Sequence, residues 1–111
     1  MSKEIKTYFQ DIQFSIERIE YHLSGIKSFG EYKIAITVND AVERRLAIIG
    51  EALWKIDSLD KQAAVTDKQR IIKLRHILTH DYELVSAEII WKIIEINLPL
   101  LKEEVNKILQ T

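Results

Sequence analysis

The sequence has no cysteine, one proline and three glycines among its 111 residues. Without cysteine there is no disulfide, no thiolate nucleophile and no cysteine-based zinc site. That composition is compatible with a reducing compartment, and a cytoplasmic location is expected. So few turn formers leave room for few turns, which disfavours many short strands and points to a handful of long elements. Long apolar runs are missing too. No stretch approaches the roughly 20 residues of a membrane span, and the opening MSKEIKTYFQ has no apolar run of the signal-peptide kind. Neither sign of charge dominates: 16 Lys and Arg face 17 Asp and Glu, a net charge of −1. A bulk electrostatic grip on nucleic acid is therefore not indicated, and any such contact must come from a local basic site. There is also no Gly-rich phosphate loop, no nucleophile elbow and no H-E-x-x-H pair.

What is present is ordinary for a globular chain. Hydrophobic residues make up 47% and charged residues 30%, which is wrong for a disordered segment. The length suits one domain, residues 1–111. Such a domain buries a modest core, so self-association would add useful buried surface.

Apolar periodicity supplies the elements. Ile5, Phe9, Ile12, Ile16, Ile19, Leu23 and Ile26 step alternately by four and three, one stripe of a helix with charged residues opposite. Ser24-Gly25 softens its end and the stretch 28–30 terminates it. A second helix is expected from about Tyr32 to Ile56, with Val38, Val42, Leu46, Ile49, Leu53 and Ile56 as its stripe. Gly50 inside it costs about 1 kcal/mol relative to alanine, which close approach of another helix would justify. Residues 57–65 read as a loop. Thr66-Asp-Lys-Gln69 has the form of a capping box. A third helix follows with Ile71, Leu74 and Leu78 inward, ending near 80–83. Ser86 caps a fourth, with Glu88 in its first turn. Ile89, Ile90, Trp91, Ile93 and Ile94 are apolar on nearly all sides, so that helix should be buried on more than one face. Pro99 must break, kink or restart it, and Asn97 is a candidate cap for a last helix ending near Leu109. The expected fold is all-α, an antiparallel bundle of four to five helices.

The chemistry is concentrated in RHILTHDY, residues 75–82. Metal-free RNA cleavage needs a base for the ribose 2′-hydroxyl and a cation for charge growing on the phosphate. Histidine, with an unperturbed pKa of about 6.5, suits the first task. Arginine, planar and always charged, suits the second. His80 as acid/base and Arg75 as phosphate clamp form a minimal set. Geometry resists it, because residues five apart on a straight helix point about 140° apart. Arg75 and Tyr82 can share a face, as can His76 and His80. Either the helix unwinds before His80 or the site combines residues of two chains, and a composite site between two subunits is the favoured reading. Structural readings stand beside this one. Arg75 can serve a salt bridge, His80 can sit at a helix C-terminus where the dipole favours a cation, and His76 with His80 could ligate a metal, though beyond Asp81 no third ligand is at hand. Arg44 and Glu51 share a face of the second helix and read as a structural or solvated pair. His22 reads as surface, and Trp54 and Trp91 as core or interface anchors rather than base platforms.

The residues carry a resemblance. Arg75, His80 and Tyr82 fit R-x4-H-x-Y without insertion, the hallmark of the HepT-type minimal HEPN domains, the toxin half of MNT–HEPN toxin–antitoxin pairs. AVERRLAIIGEAL (41–53) is similar to that family's second-helix segment, Ile71-Ile72-x-Leu74-Arg75 to its approach to the motif, and IIWKIIEINLPLLKEEV (89–105) to its C-terminal segment. The first helix matches in pattern only. The resemblance implies a helical bundle that dimerises, with the motifs of two chains facing one cleft. It implies a metal-independent endoribonuclease without cofactor, acting on cellular RNA such as tRNA or mRNA. It implies a separate MNT-type nucleotidyltransferase antitoxin that transfers AMP from ATP to Tyr82, adding bulk and negative charge beside Arg75 where an RNA phosphate must sit.

Two positions depart from the pattern. His76 stands where Asn is frequent, so it is a secondary polar candidate that could assist His80. Arg44-Arg45 replaces an expected Arg-Asn. The function expected is a toxin ribonuclease with Arg75 and His80 catalytic and Tyr82 positioning RNA and accepting AMP. The alternative is a non-catalytic helical dimer that binds nucleotide or a nucleotidyltransferase partner.

Overall fold

The computed structural model describes residues 1–80 and 85–110, and of His80 the backbone. The regular elements of the described residues are all helices, with no strand among them. The chain runs α1 (Lys3–Leu23), α2 (Phe29–Ile34), α3 (Ile36–Leu59), α4 (Lys68–His80) and α5 (Ala87–Lys92), then a π-helical turn (Ile93–Asn97) that leads into α6 (Leu98–Leu109). α3 is the central element, packed on α1 along one side and α4 along another, while α6 closes on α1 and α2 on α5. Among the described residues no helix is long and apolar enough to cross a membrane.

The expected stripes form the core. Phe9, Ile12, Ile16 and Ile19 of α1 meet Val42, Leu46, Ile49, Leu53 and Ile56 of α3, with Ile71 and Leu74 of α4 and Ile90, Ile93, Leu101 and Val105 of the C-terminal arm, all buried. Removing such side chains from water is the main force holding the helices together. The C-terminal arm is less buried than its composition suggests, since Ile89 and Ile96 are 47% and 66% exposed.

Several ends differ from expectation. α1 stops at Leu23, not at 28–30, because both the amide and the hydroxyl of Ser24 donate to the Tyr21 carbonyl, at 3.2 and 2.8 Å, and draw it away from the next turn. Ser28 instead starts α2. Its Oγ accepts from Glu31 N while Glu31 Oε1 accepts from Lys27 N, a reciprocal capping arrangement. The expected second helix is split at Ala35 (φ −86°, ψ 76°). Asn39 fills the break, its amide donating to the carbonyls of Tyr32 (2.6 Å) and Ala35 (2.9 Å). α2 is held by an aromatic cluster in which Trp91 lies 5.4 Å from Tyr32 and 6.2 Å from Phe29, ring to ring.

The capping box expected at Thr66 does not form. Thr66 N and Oγ1 both donate to the Glu104 carboxylate, and Gln69 donates to Asp57. Asp67 turns the chain with φ 60°, a left-handed conformation that Asp tolerates better than most residues. Its carbonyl accepts from Arg70 and Ile71, and its carboxylate accepts from Asn97 Nδ2 at 2.9 Å. Asn97 is therefore a buried tie between the π turn and the start of α4, not a helix cap. Ser86 does cap α5, accepting from Ile89 N. The π turn carries the helix past Pro99, which lacks an N–H.

Candidate functional site

Three helices enclose an open groove of about 520 Å³. α1 contributes Tyr8 and Asp11, and α3 contributes Glu43, Arg44, Ala47, Ile48, Glu51, Ala52 and Lys55. α4 closes it with Arg75, Leu78 and Thr79. The spacing on each helix explains the arrangement. Residues 44, 48, 51 and 55 fall on one face of α3, and 75, 78 and 79 on one face of α4.

Arg75 is held closely. Its Nη1 donates to Glu51 Oε2 at 2.8 Å, and its guanidinium carbon lies 5.8 Å from the centre of the Trp54 ring. Its Nε is shut off from solvent and has no hydrogen-bond partner among the described residues. The stem of Arg75 rests against Gly50. A Cβ there would collide with Arg75 Cβ and approach the Ile71 carbonyl oxygen to 2.9 Å. Gly50 thus lets α4 close on α3, the packing role its position in a helix suggested. Farther along the groove, Lys55 Nζ lies 3.9 Å from Glu51 Oε1 and 5.5 Å from the Tyr8 ring. The carboxyl of Glu43 is raised above its usual range, chiefly by burial and then by the nearby charge of Asp40.

The register of α4 is set at its start. Lys68 Nζ bonds Asp57 Oδ1 at 2.7 Å and the Lys61 carbonyl at 2.8 Å, clasping the end of α3 to the first turn of α4. That bond from Lys68 holds the Asp57 carboxyl below its usual range.

The predicted site residues fare differently. Arg75 lies in the groove. His76 is exposed and does not line it. α4 stays helical through His80, so unwinding before His80 does not bring it round to Arg75. On that backbone His80 falls on the face of His76, about 140° from Arg75. The side chain of His80 and all of Tyr82, with Asp81, lie outside the described residues. Arg44 reaches the groove, whereas Arg45 turns to α1, its guanidinium 5.4 Å from the Phe14 ring. Trp54, at 47% exposure, is not a core residue but a half-open neighbour of Arg75. Trp91 is the anchor of the α2–α5 contact. His22 is partly covered and meets the Tyr21 ring edge-on at 5.7 Å.

Sequence reasoning missed Glu51 as the partner of Arg75, and it missed Tyr8 and Lys55 altogether. The face shared by Arg44 and Glu51 was the available signal, since both line the groove. It did not disclose that the partner lies on another helix.

The family model described as "Ribonuclease HepT-like" matches residues 12–108. Among curated proteins, a Methanocaldococcus jannaschii protein named "Gamma-glutamylcyclotransferase and putative RNase" is 32% identical over 112 residues, covering 99% of this chain and 50% of that protein. A second protein of the same organism, named "Putative RNase", is 33% identical over 108 residues, 95% of this chain and 97% of its own. One from Thermococcus cleftensis, named "Probable ribonuclease HepT", is 31% identical over 109 residues, 97% of this chain and 98% of its own. The chain therefore spans half the length of the first relative and nearly all of the other two. No solved structure matches it.

Proposed function

This chain belongs to the HepT-like ribonuclease family, and from that premise we propose that it is a metal-independent endoribonuclease and the toxin of a toxin–antitoxin pair. The observation that carries the reading is Arg75. Its guanidinium stands at the wall of an open groove, oriented by Glu51 and flanked by Trp54. A planar fork held this way is suited to the non-bridging oxygens of a phosphodiester.

In the proposed reaction the ribose 2′-oxygen attacks the adjacent phosphorus and the bond to the 5′-oxygen breaks. The products are a 2′,3′-cyclic phosphate and a 5′-hydroxyl end. His80 takes the 2′-hydroxyl proton and returns a proton to the leaving oxygen, while Arg75 stabilises the pentacoordinate phosphorus. The unbroken α4 favours the composite arrangement, in which Arg75 of one subunit works with His80 of the other across a two-fold interface. Tyr82 positions RNA and is the acceptor for AMP. Its phenol oxygen attacks the α-phosphorus of ATP on a cognate nucleotidyltransferase antitoxin, and pyrophosphate leaves. The attached anion then competes with RNA beside Arg75.

The test is cleavage of cellular RNA by purified protein in excess EDTA, with end-group analysis. Cyclic-phosphate ends should appear with wild type and fall by about 10²-fold or more with His80→Ala or Arg75→Ala, while helicity is retained. Wild-type protein that cuts nothing under these conditions, yet is modified by its nucleotidyltransferase, would establish the binding-module alternative instead.

A further inference from the structure

Besides Arg44, the groove holds another cation close to Arg75, the ammonium of Lys55. Lys55 follows Glu51 by one turn of α3, and the two cations approach the two oxygens of one carboxylate. Arg75 Nη1 is 2.8 Å from Glu51 Oε2 and Lys55 Nζ is 3.9 Å from Oε1. An aromatic ring bounds the arrangement at each end, Tyr8 at 5.5 Å from Lys55 Nζ and Trp54 at 5.8 Å from the Arg75 guanidinium. Two cations thus meet one carboxylate, and each has an aromatic ring beside it. We propose that Lys55 and Arg75 form a two-cation subsite for a backbone phosphate of single-stranded RNA, which takes the place of the Glu51 carboxylate, and that Tyr8 is the platform for a base beside that phosphate. This rests on the RNA-cleaving reading and adds Lys55 and Tyr8 to it.

Several physical points favour the subsite. The side chains of Glu51 and Lys55 are 40% and 43% exposed, so a phosphate reaches them without opening the core. The half-exposed Lys55–Glu51 pair holds weakly, and a phosphate offers both cations short charge-assisted bonds together. With a net charge of −1, the protein lacks a general attraction for RNA, so adjacent cations in a groove must supply the grip. The volume of about 520 Å³ lies within the range of roughly 300–1,000 Å³ usual for sites that enclose a small ligand. Aromatic rings beside cations are the usual means of holding unpaired bases.

The experiment uses the full chain and a short 2′-O-methyl single-stranded RNA, which binds but lacks the attacking hydroxyl. Its dissociation constant is measured against salt by fluorescence anisotropy for wild type, Lys55→Gln, Tyr8→Leu and Lys107→Gln. Lys107 is an exposed cation of α6 outside the groove. Circular dichroism checks that each variant is folded. Lys55→Gln should weaken binding about three- to tenfold at low salt and make the logarithmic salt slope shallower by about 0.7, the value of one phosphate contact on a single strand. Tyr8→Leu should weaken binding about fivefold or more with the slope unchanged, as loss of stacking requires. Lys107→Gln should match wild type. If wild type binds and Lys55→Gln keeps both its affinity and its slope, the two-cation subsite is overturned while the RNA reading stands. If wild type itself does not bind, the RNA reading falls and takes this subsite with it.

Discussion

Gly50 of α3 lies against the side-chain stem of Arg75 of α4, so closely that a single added Cβ would overlap it. The placement of Arg75 therefore depends on a residue with no side chain on the opposing helix. Gly50→Ala gains about 1 kcal/mol of helix propensity, but overpacking of this kind costs about 1–3 kcal/mol and pushes α4 outward. Urea denaturation should show net loss of stability. RNA cleavage should fall further than stability does, because a displacement near 1 Å can cost about 10²-fold in rate. A variant more stable than wild type would show that the two helices can separate freely.

Glu51 accepts a bond from Arg75 and so occupies the place proposed above for a phosphate. Glu51→Gln keeps the shape and removes the competing charge. The dissociation constant for uncleavable RNA should drop by roughly threefold, in keeping with the small worth of a half-exposed ion pair. Weaker binding would mean that orientation of the guanidinium outweighs competition.

The clasp at the start of α4 has a pH signature. The hydrogen bond from Lys68 lowers the Asp57 carboxyl. A depressed carboxylate contributes stability that is present above its unfolded value, about 3.9, and is lost as pH falls through its folded value. Lys68→Met should therefore lower Tm near neutral pH, and the difference from wild type should shrink towards about pH 2. A difference independent of pH would assign the effect to packing of the lysine stem.

Much of the fold could be read from apolar spacing. The stripe of α1 from Phe9 to Ile19 and that of α3 from Val42 to Ile56 are buried as their periodicity demands. Local end signals were less dependable, because tertiary partners compete for the same groups. Thr66-x-x-Gln69 has the right residues for a capping box, but Glu104, 38 positions on, takes the Thr66 amide and hydroxyl. Ser28-x-x-Glu31 forms the reciprocal cap inside a stretch that read as a helix terminator. Asn97 has a good capping side chain but spends it on Asp67. Of the groove, the sequence singled out Arg75 and the face shared by Arg44 and Glu51, while the side chain of His80 and all of Tyr82 lie outside the described residues. Glu51, the partner of Arg75, lies 24 positions away from it, and Lys55 and Tyr8 reach the groove from two helices whose relative rotation no spacing rule within one helix predicts.

The proposed reaction has Arg75 and His80 act on one phosphodiester from different subunits. Arg75→Ala and His80→Ala proteins, each expected to be inactive alone, can be mixed, dissociated and allowed to reassociate before RNA cleavage is assayed in EDTA. In a two-fold dimer, a mixed pair contains one site with both residues intact, and random pairing restores about a quarter of wild-type activity. That recovery is the predicted result. Confirmed formation of mixed dimers with no recovery of cleavage would mean that Arg75 and His80 do not share a site across the interface.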